Sequence, residues 1–306
     1  MTGLELAHAY WEECGRPRLA RFCPELLERA AVGLVGEGSE CFGFDDELSR
    51  DHDWGAGFCL WLTREDHARL GGTAELLYAS LPEEFGGFSK RRNTAQSGPR
   101  IGVQEIGAFY TRFLGIDRPP SALEEWYALP ESGLAAATNG RIFVDPEGSF
   151  TAFREALLTY YPEDLRKKKL AAACAIAAQA GQYNYGRCLR RGETAAAFQA
   201  LAQFVDRVQQ IVFLLNRVYR PYYKWTQRKL RTLPLLGAES AQLLDVLIRE
   251  PLDAEAHIEQ LASLLIGRLR DQKLSDREES FLLPHAVCIR DSIADKELRA
   301  AHLMAE

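Results

Sequence analysis

The sequence has no Cys-x-x-Cys pair and no Cys/His cluster. Its seven cysteines (Cys14, Cys23, Cys41, Cys59, Cys174, Cys188 and Cys288) are odd in number and widely scattered, which favours neither a disulfide framework nor a structural zinc site. They read as reduced core thiols. No N-terminal signal segment and no apolar run of bilayer length is present, so the chain reads as cytoplasmic and away from membranes. There is no Gly-rich Walker loop, and Gly36-Glu37-Gly38 lacks the later glycine of a dinucleotide fingerprint. A nucleophile elbow for Ser-His-Asp hydrolysis is also missing. Positive charge is in deficit: 37 Lys plus Arg stand against 43 Asp plus Glu, a net charge of −6. A general nucleic-acid binder would normally carry the opposite balance.

What is there is an ordinary globular composition, with 47% apolar and 26% charged residues over 306 positions. That length can bury a sizeable core in one large domain or two. Helical patterning over 2–30 is interrupted near Gly15-Arg16-Pro17. Ala31–Gly36 is a short β-leaning run, Trp54–Thr63 an apolar strand, and Arg64–Ser80 a helix. Residues 82–100 are rich in Gly, Ser, Asn and Arg and read as a loop or flap, with Arg91-Arg92 as loop cations. Ile101–Ile106 and Arg141–Val144 are further strand candidates, the latter stopped at Asp145-Pro146. From Ser149 onward the pattern is almost wholly helical, including a long run over 194–231. The expected architecture is therefore α+β, a mixed sheet with helices over 1–155 followed by an all-α helical bundle over 156–306.

The densest chemistry lies at Gly38-Ser39 and, after an eleven-residue spacer, Asp51-His52-Asp53. Aspartates at i and i+2 of an extended segment share a face and can share a divalent cation. A Gly-Ser just upstream can open a helix whose free amides accept a phosphate. His52 alternates to the other face, where packing outweighs ligation. A third carboxylate would complete such a site or accept a proton; Asp145 is the first choice and Glu105 the second. Asp45, Asp46 and Glu47 read as a cap or turn, and Arg50 could neutralise the pair or reach a phosphate. Farther on, Tyr183, Asn184 and Arg187 include an i, i+4 pair, and Lys224 stands among Tyr222, Tyr223 and Trp225. A cation beside stacking rings suits a triphosphate and a base. The run Arg166-Lys167-Lys168-Lys169 reads as a solvated helix face.

The Gly-Ser…Asp-x-Asp pattern resembles that of the nucleotidyltransferase superfamily with the DNA polymerase beta-like fold. Within it, GSECFGFDDELSRDHDWG, GQYNYGRCLRRG (181–192) and NRVYRPYYKW (216–225) resemble an uncharacterised bacterial domain family. The resemblance implies Mg2+ (or Mn2+) on Asp51 and Asp53, with Asp145 or Glu105 as the third carboxylate, and phosphate on Gly38 and Ser39. It adds support for Arg187 and Lys224 as nucleotide contacts, beside Arg50, Tyr183 and Asn184, which the local pattern offers. The implied reaction moves an NMP, AMP from ATP first, to a hydroxyl of a small molecule or of a protein, within a possible homodimer. The alternative is a regulatory or antitoxin-like nucleotide binder of the same fold, acting on a protein partner or without turnover.

Overall fold

A computed structural model describes residues 1–50, 54–93, 98–249 and 253–305, and the side chain of Arg50 is outside that description. Two compact units divide the chain, 1–159 and 160–306.

Unit 1 is α+β. Its strands are β1 (Ala31–Leu34), β2 (Cys59–Leu62), β3 (Glu84–Phe85), β4 (Phe88–Ser89), β5 (Gly102–Glu105) and β6 (Arg141–Val144). Four of them form a mixed sheet in the order β5-β2-β1-β6. β1 lies antiparallel to β2, with Ala31 opposite Trp61 and Gly33 opposite Cys59. It lies antiparallel to β6 as well, with Val32 opposite Val144 and Leu34 opposite Arg141. β2 and β5 run parallel from Cys59–Gly102 to Leu62–Glu105. All four residues of β1 and of β2 are buried, as the continuous apolar runs AVGL and CLWL require of strands covered on both faces. The helices are α1 (Gly3–Tyr10), α2 (Arg16–Phe22), α3 (Glu25–Arg29), α4 (Arg64–Ala79), α5 (Ile106–Leu114), α6 (Leu123–Ala128), α7 (Glu131–Thr138) and α8 (Ser149–Leu158). One core gathers Leu6, Tyr10 and Trp11 from the amino-terminal helices with Val32, Leu60 and Leu62 from the sheet and Phe58 just before β2.

Two expectations are corrected here. The segment around Gly15-Arg16-Pro17 is no break: a π turn, Trp11–Gly15, leads straight into α2 with helical backbone angles at both flanks. Pro17 falls in the first turn of α2, directly after the π turn, whose wider bonding (the Arg16 amide donates to the Trp11 carbonyl) has already shifted the ladder. The 82–100 stretch holds a hairpin, with Glu84 opposite Ser89 and Phe85 opposite Phe88. Gly86 and Gly87 turn it at φ of +60° and +81°, which is the two-glycine hairpin signal.

Unit 2 is all α. It comprises α9 (Glu163–Ala177), a π-helical stretch (Ala178–Tyr185), α10 (Gly186–Arg190), α11 (Thr194–Asn216), α12 (Tyr223–Leu230), α13 (Gly237–Arg249), α14 (Ala254–Asp271), α15 (Leu282–Asp291) and α16 (Lys296–Ala300). The long helical run stops at Asn216, where Arg217 turns left-handed at φ +53° and Pro221 follows. α9 is the buried centre, with every alanine from 171 to 173 at 0% exposure. Small side chains let its neighbours approach closely. No described helix is long and apolar enough to cross a membrane.

The basic run at the start of α9 is not a solvated face. Lys168 is fully buried and donates to the carbonyls of His302 (2.6 Å) and Leu303 (3.2 Å). Arg166 is buried against Glu163 (2.7 Å), Lys167 reaches the Ser292 carbonyl, and Lys169 lies over the Tyr161 ring. Glu163 also receives Arg217 at 2.7 Å. The Arg166 hydrogen bond, opposed by burial and helped by Arg217, holds the Glu163 carboxyl down at about 2 against an ordinary 4.5. A depressed folded-state value means stabilisation that is complete above about 4.5 and is lost as pH falls from there toward about 2. Unit 2 of the Glu163→Gln variant should therefore show a flatter stability profile across that window. Urea midpoints measured from pH 5 to pH 2.5 would check this, and parallel wild-type and variant profiles would refute it.

Candidate functional site

The chain leaves β1 at Leu34 and is caught at once. Asn139 clamps Gly36 from both sides: its Oδ1 accepts from the Gly36 N–H (3.0 Å), and its Nδ2 donates to the Gly36 carbonyl (2.6 Å). Next to it, the Gly140 amide donates to the Cys41 carbonyl (2.8 Å). The turn between them is thus tied at both ends to the segment entering β6. Ser39 has helical angles and starts a 3-10 turn, Glu40–Phe42, without a side-chain capping bond. The first amide bonded within the turn is that of Cys41, to the Gly38 carbonyl at 3.1 Å. Gly38 and Ser39 therefore precede a single short turn rather than a full helix, and the amide array offered to an anion is correspondingly small.

Beneath the turn is an ion pair out of water. Arg91 Nη1 and Glu40 Oε1 are 2.5 Å apart, and their side chains are 5% and 6% exposed. Burial acts to lower the Arg91 pKa, but the adjoining Glu40 carboxylate outweighs it and the net shift is upward. The Glu40 carboxylate fills the space over Gly38: a Cβ there would meet Oε1 at 2.2 Å and Cδ at 2.5 Å. Gly38 is glycine because a pinned carboxylate needs its room.

A crevice of about 10 Å³, room for a single water, lies beside the turn, lined by Gly36, Glu37, Gly38, Arg91, Arg100 and Arg112 among others. Arg100 Nε meets Glu37 Oε1 at 3.2 Å. Arg112, on α5, lays its guanidinium over the Phe113 ring at 4.3 Å and donates through Nη1 to the Pro99 carbonyl. Burial lowers the Arg112 pKa. Nearby, burial likewise pushes the Cys59 thiol up to about 12, so it stays protonated at neutral pH.

The pair Asp51 and Asp53, with His52 between them, lies outside the described residues, as does the Arg50 side chain. The antiparallel pairing of β1 and β2 puts the end of β1 and the start of β2 at the same end of the sheet. The chain carrying Asp51 and Asp53 runs between those two points. Neither proposed third carboxylate is at that end. Asp145 follows Val144, which is paired with Val32 near the start of β1. Its Oδ2 accepts from the Thr151 amide (2.7 Å) in the first turn of α8. Glu105 is paired with Leu62 at the finish of β2 and caps α5 through the amides of Gly107 and Ala108, both at 3.2 Å. Opposite ends of a four-residue strand are roughly 10 Å apart at about 3.3 Å per residue. The structure therefore does not bring Asp145 or Glu105 to Gly38 and Ser39; both carboxylates start helices instead. Among the described residues no group of three His, Cys, Asp or Glu side chains could hold a metal. Asp45 caps α1 through the Gly3 amide (2.7 Å) and accepts from Trp54 Nε1 (3.3 Å), the structural role expected of it.

In unit 2, Arg187 lies over the Tyr183 ring at 4.5 Å, as their i, i+4 spacing requires, with Asn184 half-buried beside them. Lys224 lies over the Trp225 ring at 5.1 Å, next to the exposed Tyr222 and Tyr223. Gly181 packs on Phe204 and Arg220 on Asp206. Two residues along a helix are about 200° apart around it, so the two groups approach α11 from different sides.

Sequence reasoning does not find Glu40, Arg100, Arg112 or Asn139, and it reads Arg91 only as a loop cation. Asn139-Gly140 before a strand is a turn signal that points to the clamp.

Residues 126–226, about a third of the chain, match the family model described as a domain of unknown function, DUF4037. The matched stretch contains Asn139, Gly140, Asp145, Tyr183, Arg187 and Lys224, but not Gly38, Ser39 or the Asp51–Asp53 segment. No curated protein matches the chain. Among solved structures, a nucleotidyltransferase-like protein from Exiguobacterium sibiricum aligns over 90% of this chain and 89% of its own at 12% identity and a TM-score of 0.35. A likeness of that degree carries no functional argument.

Proposed function

We propose that the chain binds a nucleoside triphosphate at the Gly36–Ser39 end of the unit 1 sheet and transfers its NMP to a hydroxyl acceptor. One observation carries the reading: a glycine turn, fixed by Asn139, stands beside Arg100 and Arg112 in a protein of net charge −6. Guanidinium groups pair with phosphate oxygens through forked hydrogen bonds, and a tied glycine backbone lets a phosphate come close. The Gly-Ser…Asp-x-Asp spacing supplies the reaction class, with ATP as the first nucleotide to try and a small molecule or a protein as acceptor. Mg2+ held by Asp51 and Asp53 would stabilise charge on the α-phosphate and the leaving pyrophosphate. The protein groups assigned a role here are those that hold phosphate.

The engagement of both Asp145 and Glu105 at helix starts favours a second reading, a nucleotide-binding regulatory protein without turnover. Calorimetry with ATP, GTP, CTP and UTP, with and without Mg2+, separates the readings when paired with an assay for labelled NMP transfer. The transferase reading expects Mg2+-dependent binding of one nucleotide in the wild type, at least tenfold weaker binding in Asp51→Asn/Asp53→Asn, and transfer that the double variant abolishes. Binding with no transfer to any hydroxyl acceptor would establish the second reading. A folded wild type that binds no nucleotide would sink both.

A further inference from the structure

Three side chains at the start of α9 share one task. Asp164, Lys167 and Lys168 stand at i, i+3 and i+4, on one face of the helix. All three bind main-chain atoms of the stretch that follows α15. Asp164 accepts from the Ala294 amide (3.2 Å) and the Asp295 amide (2.8 Å), and Lys167 donates to the Ser292 carbonyl (3.0 Å). Lys168 holds the far end through the carbonyls of His302 (2.6 Å) and Leu303 (3.2 Å). Within the stretch, Asp295 caps α16 and Arg299 Nη1 donates to the Ile293 carbonyl at 3.1 Å, which ties it into a unit of its own. Little apolar surface joins that unit to the helix beneath. Among the described residues of 292–305, Ile293 alone is buried, and α16 buries none. By contrast α15, directly before it, buries Leu282, His285, Ala286 and Ile289. Yet this thinly packed stretch lies on the ammonium of a lysine at 0% exposure.

We propose that residues 292–305 form a strap that lifts as a unit about Ser292–Ala294 while the rest of unit 2 stays folded, and that lifting it uncovers Lys168. The pivot is suited to this, since Ser292 and Ala294 are exposed. Burying an ammonium costs the closed form its hydration, which offsets part of what the Lys168 bonds contribute. The bonds of Asp164 and Lys167 go to main-chain groups that water serves almost as well once the strap lifts. Segments with few buried apolar contacts open locally at a free energy well below that of global unfolding. Opening returns the Lys168 amine and the Asp164 carboxylate to solvent together, so the strap controls the polar face that α9 presents. The inference is independent of the nucleotide reading.

The test is the acetylation rate of Lys168 by an amine-reactive ester, read by mass spectrometry in the full chain. Amide hydrogen exchange of α11 is followed in parallel, and both are measured at several urea concentrations below the unfolding transition. In the wild type Lys168 should react at least tenfold more slowly than the exposed Lys224, and its rate should depend far less on urea than α11 exchange does, because strap opening exposes little surface. Asp164→Ala removes two strap bonds without altering the lysine, and should raise the Lys168 rate roughly fivefold or more. Lys224 acetylation and α11 exchange should stay within twofold of wild type. A Lys168 rate with the same urea slope as α11 exchange overturns the strap, since the lysine is then reached only by unfolding. Wild-type Lys168 reacting as fast as Lys224 overturns it too, as does a Lys168 rate that Asp164→Ala leaves within twofold. Should that variant fail to fold, the wild-type urea slope decides alone.

Discussion

Arg91→Met is expected to destabilise unit 1 by about 3–5 kcal/mol, the usual consequence of stranding one member of a buried ion pair. For a unit of this size that corresponds to a fall in Tm of roughly 10 °C. The cause is specific. Glu40 is pressed between Gly3 and Gly38, where a Cβ would come within 2.6 Å and 2.2 Å of its side chain, so the carboxylate cannot swing out to water. Without Arg91 it must either stay charged in a dry site or take up a proton. Glu40→Gln should cost less, since the amide keeps an acceptor for the guanidinium, although the arginine then lacks a counter-charge. The double variant Glu40→Gln/Arg91→Met removes both charges and should recover much of the loss, giving a coupling free energy of roughly 2 kcal/mol or more. Thermal and urea unfolding of the four proteins completes the cycle. Strictly additive effects would mean that the pair contributes nothing as a pair, and the stability of the turn would have to come from Asn139 alone.

This pair also marks the limit of what the sequence could tell. Strands and helices were legible because their apolar periods are strong: AVGL, CLWL and the alanine-rich α9 announce burial by composition. The glycine turn was legible as chemistry for the same reason, since Gly-Ser after a buried strand is a recurrent local arrangement. Which carboxylates would join it was not legible, because that depends on strand order and direction. Asp145 and Glu105 each end a strand, as the sequence indicates. Yet β6 runs antiparallel to β1, and β5 parallel to β2, and both of those directions carry the strand's end away from Gly38. Both side chains then do what an acidic residue before a helix ordinarily does, which is to cap it. Glu40, Arg91, Arg100 and Arg112 converge from four separate segments, and no spacing rule joins positions 40 and 112. The buried Lys168 is the same case in unit 2: its partners are carbonyls more than 130 residues away. Local pattern gave the elements, and long-range pairing decided which polar groups met.

Gly140→Ala should be far more damaging than Gly148→Ala, although both glycines have nearly the same backbone angle, φ +63° and +70°. An alanine in this left-handed region costs roughly 1–2 kcal/mol on its own. At Gly148 that is the whole effect, because nothing lies within 4 Å of the added Cβ. At Gly140 the Cβ would sit 2.0 Å from the Leu34 carbonyl oxygen and 2.9 Å from the Val35 Cα, both backbone atoms that cannot rotate away. The strand exit must move, and with it go the Gly140–Cys41 bond and the register of Leu34 on Arg141. A further loss of about 3 kcal/mol or more is expected from overpacking against fixed backbone and from the broken hydrogen bonds. The Asn139 clamp on Gly36 is the next residue, so phosphate binding should fail at temperatures where the variant is still folded. Comparing thermal midpoints of the two variants, and then triphosphate binding below the lower midpoint, tests both parts. Equal midpoints would show that β1 and the segment entering β6 are not packed this closely. A Gly140→Ala protein that binds triphosphate normally would show that the turn holds its shape without the clamp, and phosphate binding would then depend on the arginines alone.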